Sequence, residues 1–131
     1  CHNEDGARVV SDYWRTKVKQ PGILVFAVMK DKEVAKIARW LFPLAARIIL
    51  TRPGLERAAH PEEIASKIKK YKSKYFLEEE VPSAIRLALA LSEGRVPILV
   101  AGSLFLVGEV RKFLSFYDQS GRKAKSGQVA F

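Results

Sequence analysis

Three observations predict an α/β fold: a mostly parallel sheet with helices on both faces. Residues 23–29 and 98–101 are apolar runs without alternation, as expected of strands buried on both faces. Other stretches repeat their apolar residues at helical spacing. Helix and strand then alternate along the whole chain as α, β, α, β, α, β, α, β, α, the pattern of a parallel sheet wrapped by crossover helices.

Each element has its own local cause. Asn3-Glu4-Asp5 followed by Ala7, Val10 and Trp14 reads as a helix start, with acids at its positive end. Lys17 and Lys19 lie near its other end, and Gln20-Pro21-Gly22 stops it. Residues 23–29 form a buried strand. Asp31 opens a second helix that turns Val34, Ile37, Ala38, Leu41 and Phe42 to one face. Arg47-Ile48-Ile49-Leu50-Thr51 is a β-type run closed by Pro53-Gly54. His60-Pro61-Glu62-Glu63 starts a helix, with proline in the first turn and acids behind it. That helix buries Ile64 and Ile68 and leaves its lysines outside. Tyr75-Phe76-Leu77 is a short strand. Val81-Pro82-Ser83 begins a helix burying Ile85, Leu87 and Leu89, which Gly94 stops.

The last strand, Ile98–Ala101, runs through Gly102-Ser103 into a helix carrying Leu106, Val107, Val110, Phe113, Leu114 and Tyr117. Residues 118–131 read as a loose tail, to which Val129-Ala130-Phe131 adds a short strand. The chain opens on a helix, so a first strand is expected just upstream. Residue 1 is Cys rather than Met, which reads as a fragment or processed product.

Composition bounds the rest. The 131 residues suffice for one domain with a real core, and 48% hydrophobic with 28% charged residues is ordinary globular composition. A single Cys excludes an internal disulfide and leaves a reducing cytoplasm as the default compartment. The longest apolar run is too short to span a bilayer, and no signal-peptide pattern is present. A net charge of +9 favours anionic partners. Part of it sits in Lys67, Lys69, Lys70, Lys72 and Lys74, and part in Arg122, Lys123 and Lys125.

The common chemical motifs are missing. There is no dinucleotide fingerprint, no phosphate loop and no Gly-x-Ser-x-Gly elbow. One Cys and two distant histidines argue against structural zinc. A self-contained enzyme is hard to assemble from these residues.

The carboxyl ends of the predicted strands are where open α/β sheets place ligands. Three candidates fall there. Ser103 ends the last strand, and its plain role would be to cap the following helix. If Asp31 caps its helix, Lys32 lies in the first turn, where the dipole disfavours a cation and the fold gains nothing from one. The plain alternative is a solvated lysine. For His2 and Asn3 the plain reading is an exposed histidine beside a helix cap.

Four stretches then fall in order: His2-Asn3-x-Asp5-Gly6-Ala7; Val28-Met29-Lys30-Asp31-Lys32-x-Val34; Leu50-Thr51-Arg52-Pro53 with Arg57-Ala58-Ala59-x-Pro61-Glu62-Glu63; and Gly102-Ser103-Leu104-x-Leu106-Val107-Gly108-Glu109-Val110-Arg111. Together they resemble the C-terminal domain of bacterial folylpolyglutamate synthase/dihydrofolate synthase, in the Mur ligase superfamily, over residues 1 to about 114. The resemblance implies a Rossmann-like sheet and a single glutamate-binding domain over residues 1–131. It further implies an ATP-dependent ligase that joins L-glutamate to dihydropteroate or a folate through an acyl phosphate. ATP and magnesium would be held mainly by the enzyme's own N-terminal ATPase domain, so this chain alone is expected to be inactive.

By the same resemblance Lys32, Ser103 and Asn3 would bind glutamate, and His2 would lie near nucleotide and glutamate. The Asp of the family's Asp-x-Ala-His-Asn stretch would precede residue 1, and Cys1 stands where the family usually has Ala. Phe105 stands where Tyr is frequent. Arg52 and Arg57 match without an assigned role.

The competing reading is a basic α/β module that binds nucleic acid through Lys67–Lys74, or a small ligand in a flavodoxin-like manner. Only Tyr71 and Tyr75 interleave the lysines, which disfavours nucleic acid.

Overall fold

Gly22–Phe26 (β1) and Ile98–Ala101 (β4) lie side by side at the centre of the sheet, and every residue in both is buried. Their unbroken apolar sequence has no solvent face to serve. The computed structural model describes residues 2–119 and 128–131. Around the central pair stand Ala45–Arg52 (β2), Tyr75–Glu80 (β3) and Val129–Ala130 (β5). The order is β3-β2-β1-β4-β5, and all the ladders are parallel. The expected Rossmann-like α/β sheet is what forms.

Among the described residues five α-helices cover it: α1 (Glu4–Tyr13), α2 (Val34–Leu41), α3 (Pro61–Lys67), α4 (Val81–Ser92) and α5 (Leu104–Gln119). Alternate strand residues serve two cores, as the pleat requires. Leu24, Phe26, Ile48 and Leu50 pack with α1, α2 and α3 on one face. Ile23, Val25, Ile49, Ile98 and Val100 pack with α4 and α5 on the other. Phe26 and Phe42 are fully buried and meet edge-to-face at 5.1 Å. Side chains of this kind each contribute roughly 1.5–3 kcal/mol on burial.

Several expectations change in detail. The chain stays buried through Met29, yet β1 leaves its ladder after Phe26. Residues 28–30 turn to the loop after β2 instead: Ala59 N–H donates to Val28 O (2.9 Å), Lys30 N–H donates to Arg57 O (2.8 Å), and Met29 bridges Ala58. That detour delays α2. Asp31 does not cap it; Asp31 and Lys32 occupy a turn in which Lys32 N–H reaches Met29 O (3.2 Å), and Glu33 is the cap residue. Lys32 is therefore outside the helix rather than in its first turn.

In α4 the buried face is Val81, Ala84, Ile85, Ala88 and Ser92, with Leu87 and Leu89 only half-buried. The first helix continues as a π turn over Trp14–Val18 and reverses at Lys19, whose φ is 60°. Of the stretch read as a tail, Val129 and Ala130 pair with Ile98 and Leu99 of β4. Arg122, Lys123 and Lys125 lie outside the described residues.

Candidate functional site

The crossover from β1 to β2 runs through α2 on one face, and β4 leads into α5 on the other. The carboxyl ends of β1 and β4 are thus the point where the winding reverses and a crevice opens. A cleft of about 180 Å³ lies there, lined among others by His2, Asp31, Lys32, Arg57, Ser103 and Phe105.

Gly102 makes this proximity possible. Its φ is +103°, and a Cβ on it would stand 2.1 Å from Ala27 O. Only glycine lets the β4–α5 turn press against the outgoing end of β1.

Ser103 caps α5. Its Oγ accepts from Phe105 N–H (3.1 Å) and Leu106 N–H (3.4 Å), and the residue is 3% exposed. A hydroxyl has two lone pairs and one proton. The cap uses the lone pairs and leaves the proton to donate, so capping and ligand binding are compatible here.

Asn3 caps α1 in the same manner, its Oδ1 accepting from Gly6 N–H at 2.8 Å. It lines an adjoining hollow of about 240 Å³ that shares Asp31 and Lys32 with the cleft. His2 is exposed on the cleft wall. His2, Lys32 and Ser103 therefore line the cleft, and Asn3 lines a second hollow that shares Lys32 with it. Lys30 does not line either; its charge acts on Glu63, whose carboxyl it helps hold below the ordinary range. The main cause of that lowering is the His60 backbone N–H, which donates to Glu63.

Arg57 is the cleft residue to which sequence reasoning gave no role. Its guanidinium carbon lies 5.8 Å from the centre of the Phe105 ring. Arg52, the other unassigned arginine, is structural. Its Nε donates to Ala58 O (3.0 Å) and its Nη2 to Glu56 O (3.3 Å). These bonds tie down the loop that presents Arg57. The available signal was a pair of arginines just past a buried strand, where a ligand crevice is expected.

A family model described as Mur ligase, glutamate ligase domain, matches residues 1–104. The chain belongs to this family. Among solved structures, this Mur ligase domain is similar to Mycobacterium tuberculosis folylpolyglutamate synthase complexed with ADP. The TM-score there is 0.78 at 24% identity, over 86% of this chain and 28% of that one. It is similar to Escherichia coli FolC in complex with DHPP and ADP, with TM-score 0.76 and 19% identity over 90% and 28% of the two chains. Thermotoga maritima folylpolyglutamate synthase gives TM-score 0.75 and 28% identity over 88% and 26%. The chain thus spans about a quarter of these enzymes, matching their C-terminal domain. No curated protein matches the sequence.

Other surface features lie apart from the cleft. A larger hollow, about 370 Å³ beside Trp14, Arg15, Lys19 and Pro43, lies at the amino ends of β1 and β2. Size does not favour it, because ligand crevices of open α/β sheets form at the opposite edge. Lys67, Lys69 and Lys70 line a groove with Arg39 and Tyr71. Tyr71 meets Phe42 edge-on and has Lys70 and Lys74 over its ring, so it offers little open face to a base. His60, Glu62 and Glu79 have ligating atoms within 4.8 Å of one another, at the amino end of the short helix α3. No helix among the described residues is long and apolar enough to cross a membrane.

Proposed function

We propose that this domain binds L-glutamate for an ATP-dependent amide ligase that extends dihydropteroate or a folate. The observation that carries this reading is the make-up of the cleft: two cations from different loops and a hydroxyl with a free proton, at the sheet's switch point. Such a donor set suits carboxylates. With one acid, Asp31, against Lys32 and Arg57, it does not suit a divalent cation.

The chemistry divides accordingly. A carboxylate on the pterin-bearing substrate takes the terminal phosphoryl group of ATP, giving an acyl phosphate and releasing ADP. The amine of glutamate attacks it, giving the amide and phosphate. ATP and magnesium belong to the remainder of the enzyme, and this domain holds and aims the amine. Lys32 supplies charge to a carboxylate, Ser103 donates its hydroxyl proton, and Asn3 and His2 border the path on the Lys32 side. Solved relatives complexed with ADP, one of them also with DHPP, support a nucleotide-using enzyme as the setting of this domain.

The test is a comparison of two neighbouring lysines. A charge-assisted hydrogen bond contributes about 1.5–3 kcal/mol. Lys32→Ala should therefore weaken glutamate binding by roughly tenfold to over a hundredfold. Lys30→Ala should leave it nearly unchanged. Equal effects of the two substitutions, measured by glutamate titration, would remove Lys32 as the anchor.

A further inference from the structure

We infer that Arg57 reads the side-chain carboxylate of the incoming amino acid and so makes the cleft selective for a dicarboxylate. This rests on the reading of the cleft as the amino-acid site. A dicarboxylic amino acid brings two negative groups, and the cleft has two cations carried by separate loops, Lys32 before α2 and Arg57 before α3. Neither pairs with a carboxylate among the described residues, although Asp31 lines the same cleft. Both charges are therefore available to a ligand.

The two cations are not equivalent. Lysine is a flexible point charge, whereas the guanidinium is a planar fork matched to a carboxylate. Arg57 is also held in place. Its backbone carbonyl accepts from Lys30 N–H at 2.8 Å, Met29 bridges Ala58, and Arg52 clasps the carbonyls of Glu56 and Ala58. Leu55 O accepts from Ala58 N–H at 3.1 Å, closing the turn around Arg57. The Phe105 ring, 46% exposed, lies against the guanidinium. A backbone fixed at this many points presents Arg57 at the cleft without the cost of ordering its loop on binding. The α-carboxylate is common to all amino acids and needs only charge, which Lys32 supplies. Discrimination needs the directional group.

The experiment is an NMR titration of the 131-residue chain with L-glutamate and with L-glutamine, which lacks the second charge. The unaltered chain should bind glutamate at least about tenfold more tightly than glutamine. Arg57→Gln should lower glutamate affinity to about that of glutamine and leave glutamine within about twofold. Arg57→Lys should fall between them, because charge without the fork keeps part of the preference. If Arg57→Gln weakens both ligands equally, or neither, the assignment of Arg57 to the side-chain carboxylate is overturned. Should Arg57→Gln lose its dispersed spectrum, Arg57→Lys decides alone: an unchanged glutamate-to-glutamine ratio overturns the proposal. Lys32→Ala separates the two levels. Sensitivity to Lys32 without sensitivity to Arg57 sinks only the present inference, while a chain that binds neither amino acid sinks the glutamate site as well.

Discussion

Ser103 is a helix cap whose hydroxyl keeps a proton free for the proposed ligand. Its lone pairs satisfy two amide protons at the start of α5, which would otherwise face a buried turn without partners. Its proton is not used by the cap, and in the proposed reading it donates to the glutamate carboxylate. The two roles separate by substitution, because glycine is tolerated at a helix cap far better than alanine. Ser103→Ala should cost about 1 kcal/mol of stability, and Ser103→Gly only a few tenths of a kcal/mol. Both should weaken glutamate by roughly tenfold, since both remove the same donor. Urea unfolding and glutamate titration of the two variants check this. Loss of binding in proportion to loss of stability would reduce Ser103 to a cap.

At the scale of elements, the site depends on how closely the β4–α5 turn approaches β1. Gly102→Ala puts a methyl group into Ala27 O and the Phe26 ring at a backbone angle that side chains avoid. The positive φ costs about 1–2 kcal/mol and the overpacking about 1–3 kcal/mol more. A loss of about 2–5 kcal/mol is a large part of a typical domain's stability, and a calorimetric melt should show it as a large fall in Tm. The elements themselves were legible wherever a local cause dominates. Unalternating apolar runs marked β1 and β4, and Asn3, Pro61 and Ser103 marked helix starts. The start of α2 was not legible, because Asp31 looks like a cap in sequence. A long-range pairing of residues 28–30 with residues 57–59 moves the start to Val34. The same pairing hid Arg57. Its place beside Lys32 comes from contacts between two loops, and no spacing within either loop encodes them.

At the scale of the molecule, the cleft is assembled from His2 just before α1, the β1–α2 turn, the β2–α3 loop and the β4–α5 turn, so its integrity depends on how these stay docked. The docking of α1 carries a titratable link. Glu4, in the first turn, accepts from Trp40 Nε1 at 3.2 Å and pairs with Arg39, both at the end of α2. The Trp40 hydrogen bond first, and then the Arg39 guanidinium, hold the Glu4 carboxyl below its ordinary range. A carboxyl lowered in the folded state stabilises that state above its unfolded value, about 4.3. This contribution disappears as pH falls through the lowered folded value. Glu4→Gln should therefore reduce Tm at pH 7, and the gap to the unaltered chain should narrow steadily below about pH 4. Asn3 and His2 ride on the same helix start, so glutamate binding at pH 7 should weaken modestly in Glu4→Gln. Thermal melts from pH 7 down to pH 3 read the first effect directly. A gap in Tm that stays constant across that range would mean that the Glu4 carboxylate contributes nothing to holding α1 against α2.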